Sequence, residues 1–286
     1  MNIHKLDNEL LSHENFKNLK IEGREDKLRN ISDAIFASAK RTNTDLNLLF
    51  NLINKGYAFD TKKFYKDLLA KKTTNVFDYV HKNLVEFAKL IFTKKSIGTP
   101  NAASGKGELM FILLSHDFGN PKKGDVTLFN KLYEIKANGG KIGFGTGSEI
   151  NKSLLERCKK LGIDLPKDKR GRSEFVPFNN KHIGYLKDNY ERVLQEWVKV
   201  VTGIEHTGCK TFNQAAIKII PTVIKKSNVF RDNDVLLTIT AAGDCKAYYG
   251  ESDLIENSKY FATKDKWEYR CHQKNKLAIY LGLQYG

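Results

Sequence analysis

The sequence predicts an α/β protein, and three of its stretches make that prediction. Apolar residues recur at three- and four-residue spacing through residues 1–95, a short strand hairpin occupies Gly124–Gly140, and the β-branched, almost wholly apolar run at 234–243 has the texture of a central strand. At 286 residues the chain can bury a sizeable core as one large domain or two smaller ones.

The helical region rests on "NISDAIFASAK", "TDLNLLFNLINKG" and "NVFDYVHKNLVEFAKLIF". Asp45 is placed to cap the second of these and Gly56 to end it. The stretch "KKSIGTPNAASGKG" at 94–107 collects Gly, Pro, Ser, Ala and Asn, which marks a loop or domain junction and divides the chain into 1–95 and 96–286. From Glu108 the segment "ELMFILLSH" is apolar on nearly every side and reads as a buried helix, ended by His116 and Asp117. After the hairpin, "NGGKIGFGTG" reads as a glycine-rich turn, and a helix begins at about Ser148 with that residue as N-cap. Two longer helices are expected near 182–201 and 211–226, completing a helical insertion around 148–227. The last forty residues, with "KWEYRCHQ" and "KLAIYLGL", read as short strands.

Composition narrows the function classes. Apolar residues at 41% and aromatics at 11% describe a globular chain. The 48 Lys and Arg against 33 Asp and Glu leave a net charge of +15, which favours a polyanionic partner because each neutralised phosphate releases counterions. No run reaches the roughly 18 apolar residues of a bilayer span, so no membrane partner is expected. The N-terminal "MNIHKLDNELLSHENF" carries acids and lacks the apolar core of a signal peptide. Cys158, Cys209, Cys245 and Cys271 are far apart and form no CxxC pair, which suits reduced thiols in a cytoplasm and argues against a structural zinc. The Lys- and Asn-rich composition suits a microbial or phage-infected cell. The lone His206-x-x-Cys209 pair reads as chance, and no GxxxxGK[ST] phosphate loop is present.

The hairpin holds the chemistry. Side chains alternate across a strand, so Glu134 and Lys136 of "LYEIKA" take one face while Tyr133, Ile135 and Ala137 take the other. A turn at "FNK" leads back to "GDVTL", where Asp125 and Thr127 share a face. If the register matches the faces, Asp125, Glu134 and Lys136 converge. Two carboxylates a few ångströms apart repel, and a divalent cation removes the conflict. Magnesium takes hard oxygen ligands, one or two carboxylates and substrate phosphate oxygens among them. Water activated by such a cation is a nucleophile, and a lysine beside it steadies the charge that develops on phosphorus.

A Gly-Asp followed by "EIK" in the next strand resembles the PD-(D/E)xK nuclease superfamily, the restriction-endonuclease-like fold. The resemblance covers residues 105–145 and implies Asp125, Glu134 and Lys136 as the catalytic set. It adds Glu108 from the preceding helix, with Asp125, Glu134 and Glu108 as metal ligands. The family's proline before the aspartate is replaced by Gly124. Two other acid-x-Lys pairs, Asp60 with Lys62 and Asp244 with Lys246, lack the surrounding pattern: the first opens a helical segment and the second lies in a turn after a strand. What the resemblance implies is a mixed central sheet flanked by helices, Mg²⁺ as cofactor with Mn²⁺ as a substitute, and DNA as substrate. The reaction would be endonucleolytic hydrolysis leaving a 3′-hydroxyl and a 5′-phosphate. Residues 1–95 would bind DNA or mediate dimerisation, and a homodimer suits a two-strand cut.

Two basic stretches are candidates for the phosphate backbone. The five glycines from Gly139 to Gly147 allow close approach of a phosphate, with Lys141 beside it, and they equally suit a plain loop. The segment 157–172 holds seven Lys and Arg against two Asp, with Lys167, Lys169, Arg170 and Arg172 at its end; it is either an arm on phosphates or a solvated loop. A type II restriction enzyme, a structure-selective nuclease, an RNA-processing nuclease and a non-catalytic DNA-binding or assembly protein on the same fold all stay open at this stage.

Overall fold

A computed structural model describes residues 2–16, 25–93, 107–119, 121, 125–137, 141–145, 147–167, 169, 171–175, 180–227, 229–263, 268–272 and 276–280. The chain is mixed α/β and divides into two units, one formed by residues 1–139 and 230–250 and the other by 140–229 and 251–286. The proposed junction at 94–106 lies outside the described residues.

The first unit begins with helices α1 (Ile3–Ser12), α2 (Glu25–Thr42), α3 (Leu46–Asn54), α4 (Thr61–Leu69) and α5 (Val85–Phe92). Asp45 caps α3 through the Asn47 amide, and Gly56 follows in the left-handed region at φ 72°. Residues 75–92, expected as a single helix, are broken. Only α5 is α-helical, preceded by the two-residue strand β1 (Thr74–Asn75) and two short 3₁₀ turns. Polar side chains make the breaks: Asn75 accepts the Phe77 amide and His81 accepts the Asn83 amide, offering the backbone an alternative to the helical ladder. The chain here also bonds across to 58–60, with the Asp60 amide on the Tyr79 carbonyl at 2.8 Å.

The six-stranded sheet of this unit runs in the order β1-β7-β6-β4-β3-β2, where β2 is Phe118–Gly119, β3 Val126–Leu128, β4 Lys131–Ala137, β6 Val235–Ile239 and β7 Asp244–Tyr248. Only β4 and β6 are parallel; every other pairing is antiparallel. The β3–β4 hairpin turns through Phe129 and Asn130, both at positive φ (46° and 62°), the conformation a two-residue turn needs to match the strand twist. Strand β6 is buried at every residue, as its β-branched sequence requires of a central strand.

One face of this sheet carries the core. Tyr133, Ile135, Val235, Leu237, Ile239 and Ala247 join a continuous apolar cluster with α1–α5 and with α6 (Glu108–Leu114), so residues 1–95 share the core of the sheet. Helix α6 is buried at all seven positions, which explains its apolar texture on every side. It packs on α5, β2 and β3, and Phe111 meets Phe118 at 4.8 Å between ring centroids. His116 and Asp117 lie beyond its end.

The second unit contains β5 (Lys141–Gly145), α7 (Gly147–Lys160), α8 (Asn180–Leu186), α9 (Tyr190–Thr202), α10 (Phe212–Ser227), α11 (Glu251–Thr263), β8 (Glu268–His272) and β9 (Lys276–Tyr280). The glycine-rich segment expected as a turn is strand β5, which pairs with β9 in a sheet ordered β5-β9-β8. Glycines at alternate positions hid a strand whose hydrogen-bonding partner lies far along the chain. Ser148 falls inside α7, one residue past its start, and is not its N-cap. The expected helix at 182–201 is two helices separated by a 3₁₀ turn at Lys187–Asn189, and the final forty residues contain helix α11 as well as strands. Among the described residues no helix is long and apolar enough to cross a membrane.

Candidate functional site

Three features of the local sequence set Asp125, Glu134 and Lys136 about the β3–β4 hairpin, with Glu108 near enough to act on Asp125 electrostatically. The alternation of β4 buries Tyr133 and Ile135 and leaves Glu134 and Lys136 on the opposite face, where each side chain keeps a little over a fifth of its surface exposed. Lys136 Nζ donates to Glu134 Oε1, joining the two neighbours on that face. Asp125 stands immediately before β3. Its amide donates to the Tyr133 carbonyl at 3.0 Å, and its Oδ2 accepts the Ile135 amide at 2.7 Å, so backbone and side chain together bracket Glu134.

Glu108 arrives from the N-terminus of α6. The residue before it, Gly107, has φ 89°, and a Cβ built there would lie 2.9 Å from the Phe92 ring and 3.6 Å from the Ala137 Cβ. Only glycine satisfies both the dihedral and the close approach, and that approach sets the first residue of α6 beside the end of β4. Glu108 itself is buried, with 5% of its surface exposed.

The electrostatic consequence falls on Asp125, whose carboxyl is pushed up to about 7. Burial is the largest cause, followed by the charges of Glu108 and Glu134; the Ile135 amide and Lys136 oppose the shift. Near neutral pH this carboxyl therefore holds a proton part of the time. Asp125, Glu134 and Glu108 offer carboxylate oxygens, the hard donors that divalent cations such as magnesium take. Among the described residues no three His, Cys, Asp or Glu side chains make a ready-made metal cluster.

Supporting residues come from the segment leading into β6. Asn233 donates to Glu134 Oε2 at 3.4 Å, and the Asp234 carboxylate accepts the Leu132 amide at 2.8 Å. No local pattern marks these residues; they matter only because β6 runs parallel to β4, a pairing of residues about a hundred positions apart. At the other end of α6, Asn15 Nδ2 donates to the Ile112 carbonyl at 2.9 Å and to the Phe118 carbonyl, holding the C-terminus of that helix.

The proposed phosphate-backbone residues belong to the second unit. Lys141 begins β5, its backbone paired with Tyr280. Lys167 bridges to Ser173 and the Glu174 amide bonds the Pro166 carbonyl, so the basic segment closes into a loop carrying exposed Lys167, Lys169 and Arg172. Arg170, Gly124 and Gly139 lie outside the described residues. Of the two other acid-x-Lys pairs, Asp60 caps α4 through the Lys63 amide, whereas Asp244 opens strand β7 instead of sitting in a turn. Cys158, Cys209 and Cys245 are buried free thiols.

Comparison of the chain with family models, curated proteins and solved structures gives no match.

Proposed function

We propose that the protein is a Mg²⁺-dependent endodeoxyribonuclease on a restriction-endonuclease-like fold, with Asp125, Glu134, Glu108 and Lys136 as its reaction centre. The observation that carries this reading is Asp125 set against Glu134 across the β3–β4 hairpin, with Lys136 two residues on and Glu108 close enough to raise the Asp125 carboxyl. A sheet containing a parallel β4–β6 pair next to the antiparallel hairpin agrees with the expected fold. The net charge of +15 suits a substrate that is a polyanion.

In this reading the Asp125, Glu134 and Glu108 carboxylates would hold the cation. The cation, when bound, supplies positive charge to the phosphate and lowers the pKa of water at the site. Lys136, which donates to Glu134 Oε1, would stand beside the phosphate when that carboxylate holds the cation. Its ammonium then faces the phosphate oxygens and orients the attacking water. The Ile135 amide keeps one Asp125 oxygen fixed, so the other is aimed without loss of side-chain freedom at the moment of binding.

The alternative is a non-catalytic nucleic-acid-binding role, which the net charge of +15 suits equally. Cleavage assays separate the two. Plasmid, branched DNA, single-stranded DNA and RNA are incubated with Mg²⁺, with Mn²⁺ and with EDTA, beside Asp125→Ala and Lys136→Ala. The nuclease reading expects cutting of DNA only with metal and with both residues present, while Lys136→Ala still binds. Binding without cleavage of any substrate gives the role to the binding module, and cleavage confined to RNA changes the substrate class.

A further inference from the structure

Lys246 belongs to the second acid-x-Lys pair of the sequence, and the sheet brings it into line with Lys136. The registers are explicit: Lys136 is paired with Thr238 in the parallel β4–β6 ladder, and Thr238 with Lys246 in the antiparallel β6–β7 ladder. Residues directly opposite one another in a sheet project to the same side. Lys136, Thr238 and Lys246 therefore form one row across three strands, on the face that does not carry the core.

The row is held in place. Thr238, buried between the lysines, donates its hydroxyl to the Lys246 carbonyl at 3.2 Å. The Lys246 ammonium lies 5.5 Å from the centroid of the Tyr248 ring, its neighbour on the same face. Neighbouring strands are about 4.8 Å apart, so the two lysine backbones stand roughly 10 Å apart. That spacing lets two flexible ammonium groups on one face each reach a different phosphate of one strand.

We propose that Lys246 binds the backbone phosphate adjacent to the one that Lys136 faces, which makes it a substrate-positioning residue. The inference rests on the nuclease reading for the role of Lys136, while phosphate binding by Lys246 can be measured without any cleavage. A phosphate contact made by a flexible ammonium positions the strand and carries no sequence information.

The test uses the full chain and a labelled DNA duplex in EDTA, with affinity followed by fluorescence anisotropy over a salt series. Lys246→Gln and Lys246→Met are expected to weaken binding about five- to tenfold and to flatten the slope of log affinity against log salt by about one. Lys246→Arg should restore both. With Mg²⁺, Lys246→Gln should raise KM and leave kcat within about twofold, whereas Lys136→Ala abolishes kcat. An unchanged salt slope in folded Lys246→Gln and Lys246→Met overturns the proposal, as does a fall in kcat with KM intact. If the wild-type protein cuts no substrate, the nuclease reading fails, and the salt slope still decides Lys246.

Discussion

The Asp125 carboxylate accepts the Ile135 amide at 2.7 Å, so an acid ahead of one strand is tied to the backbone between Glu134 and Lys136 of the next. This bond fixes the acid beside a second carboxylate and close to a third. Burial and the neighbouring carboxylates disfavour the charged form of Asp125, and that cost is what makes the arrangement testable.

The first prediction concerns pH and metal. Asp125 is raised to about 7 from 3.8, so the folded state binds its proton more tightly than the unfolded chain does. Its contribution to stability is present below about pH 4 and is lost as pH rises through 7. Without metal, Asp125→Asn should therefore remove a decline in Tm between pH 4 and 7. Mg²⁺ should raise the wild-type Tm more at pH 8 than at pH 5, because the ionised carboxylate is the ligand. Equal Mg²⁺ shifts at both values would argue against metal binding by Asp125.

Glu108 provides a second handle on the same carboxyl. It ranks after burial among the causes that raise Asp125. Glu108→Gln should lower the Asp125 titration midpoint, read by NMR of the side-chain carboxyl in the metal-free protein. An unmoved midpoint would place Glu108 too far away to act on the site.

His13 should make the fold acid-sensitive. The ring is buried and stacked on His116 at 4.1 Å between centroids. Burial first, then the His116 charge, lowers it from 6.5 to about 4. A histidine depressed in this way leaves stability intact above about pH 6.5 and removes it as pH falls toward 4, by up to about 3 kcal/mol. Thermal melts of His13→Phe should show a flatter acid limb than wild type over that window. Identical limbs would assign the acid sensitivity to other groups.

Asn15 holds the helix that carries Glu108. Its amide serves the carbonyls of Ile112 and Phe118, and Asn15→Ala leaves those buried acceptors without it. The expected loss is about 2 kcal/mol of unfolding free energy in urea titrations. An effect below about 0.5 kcal/mol would mean that water replaces the amide.

Gly243 tests the β6–β7 turn beside Lys246. At φ 95°, a Cβ there would meet the Phe77 ring at 2.5 Å and Asn75 Oδ1 at 2.8 Å. Gly243→Ala should cost about 2–3 kcal/mol in the same titration, combining backbone strain with the clash. A neutral result would show that Phe77 and the turn shift freely.

What the sequence determined alone was whatever depends on neighbours within one turn or one strand. Helix α6 was legible because six consecutive apolar residues after Glu108 leave no polar stripe, and β6 because a strand buried on both sides is apolar at every position but Thr238. The hairpin was legible because its period of two separates Tyr133 and Ile135 from Glu134 and Lys136. Local pattern misread 75–92, where the side chains of Asn75 and His81 take backbone amides, and it misread β5, whose partner is β9. Only the tertiary structure could set Asn233 on Glu134, Asn15 under the end of α6, or Lys246 in line with Lys136. Those relationships depend on strand register and helix docking between segments far apart in the chain, and apolar periodicity records which face a residue takes without recording what it will face.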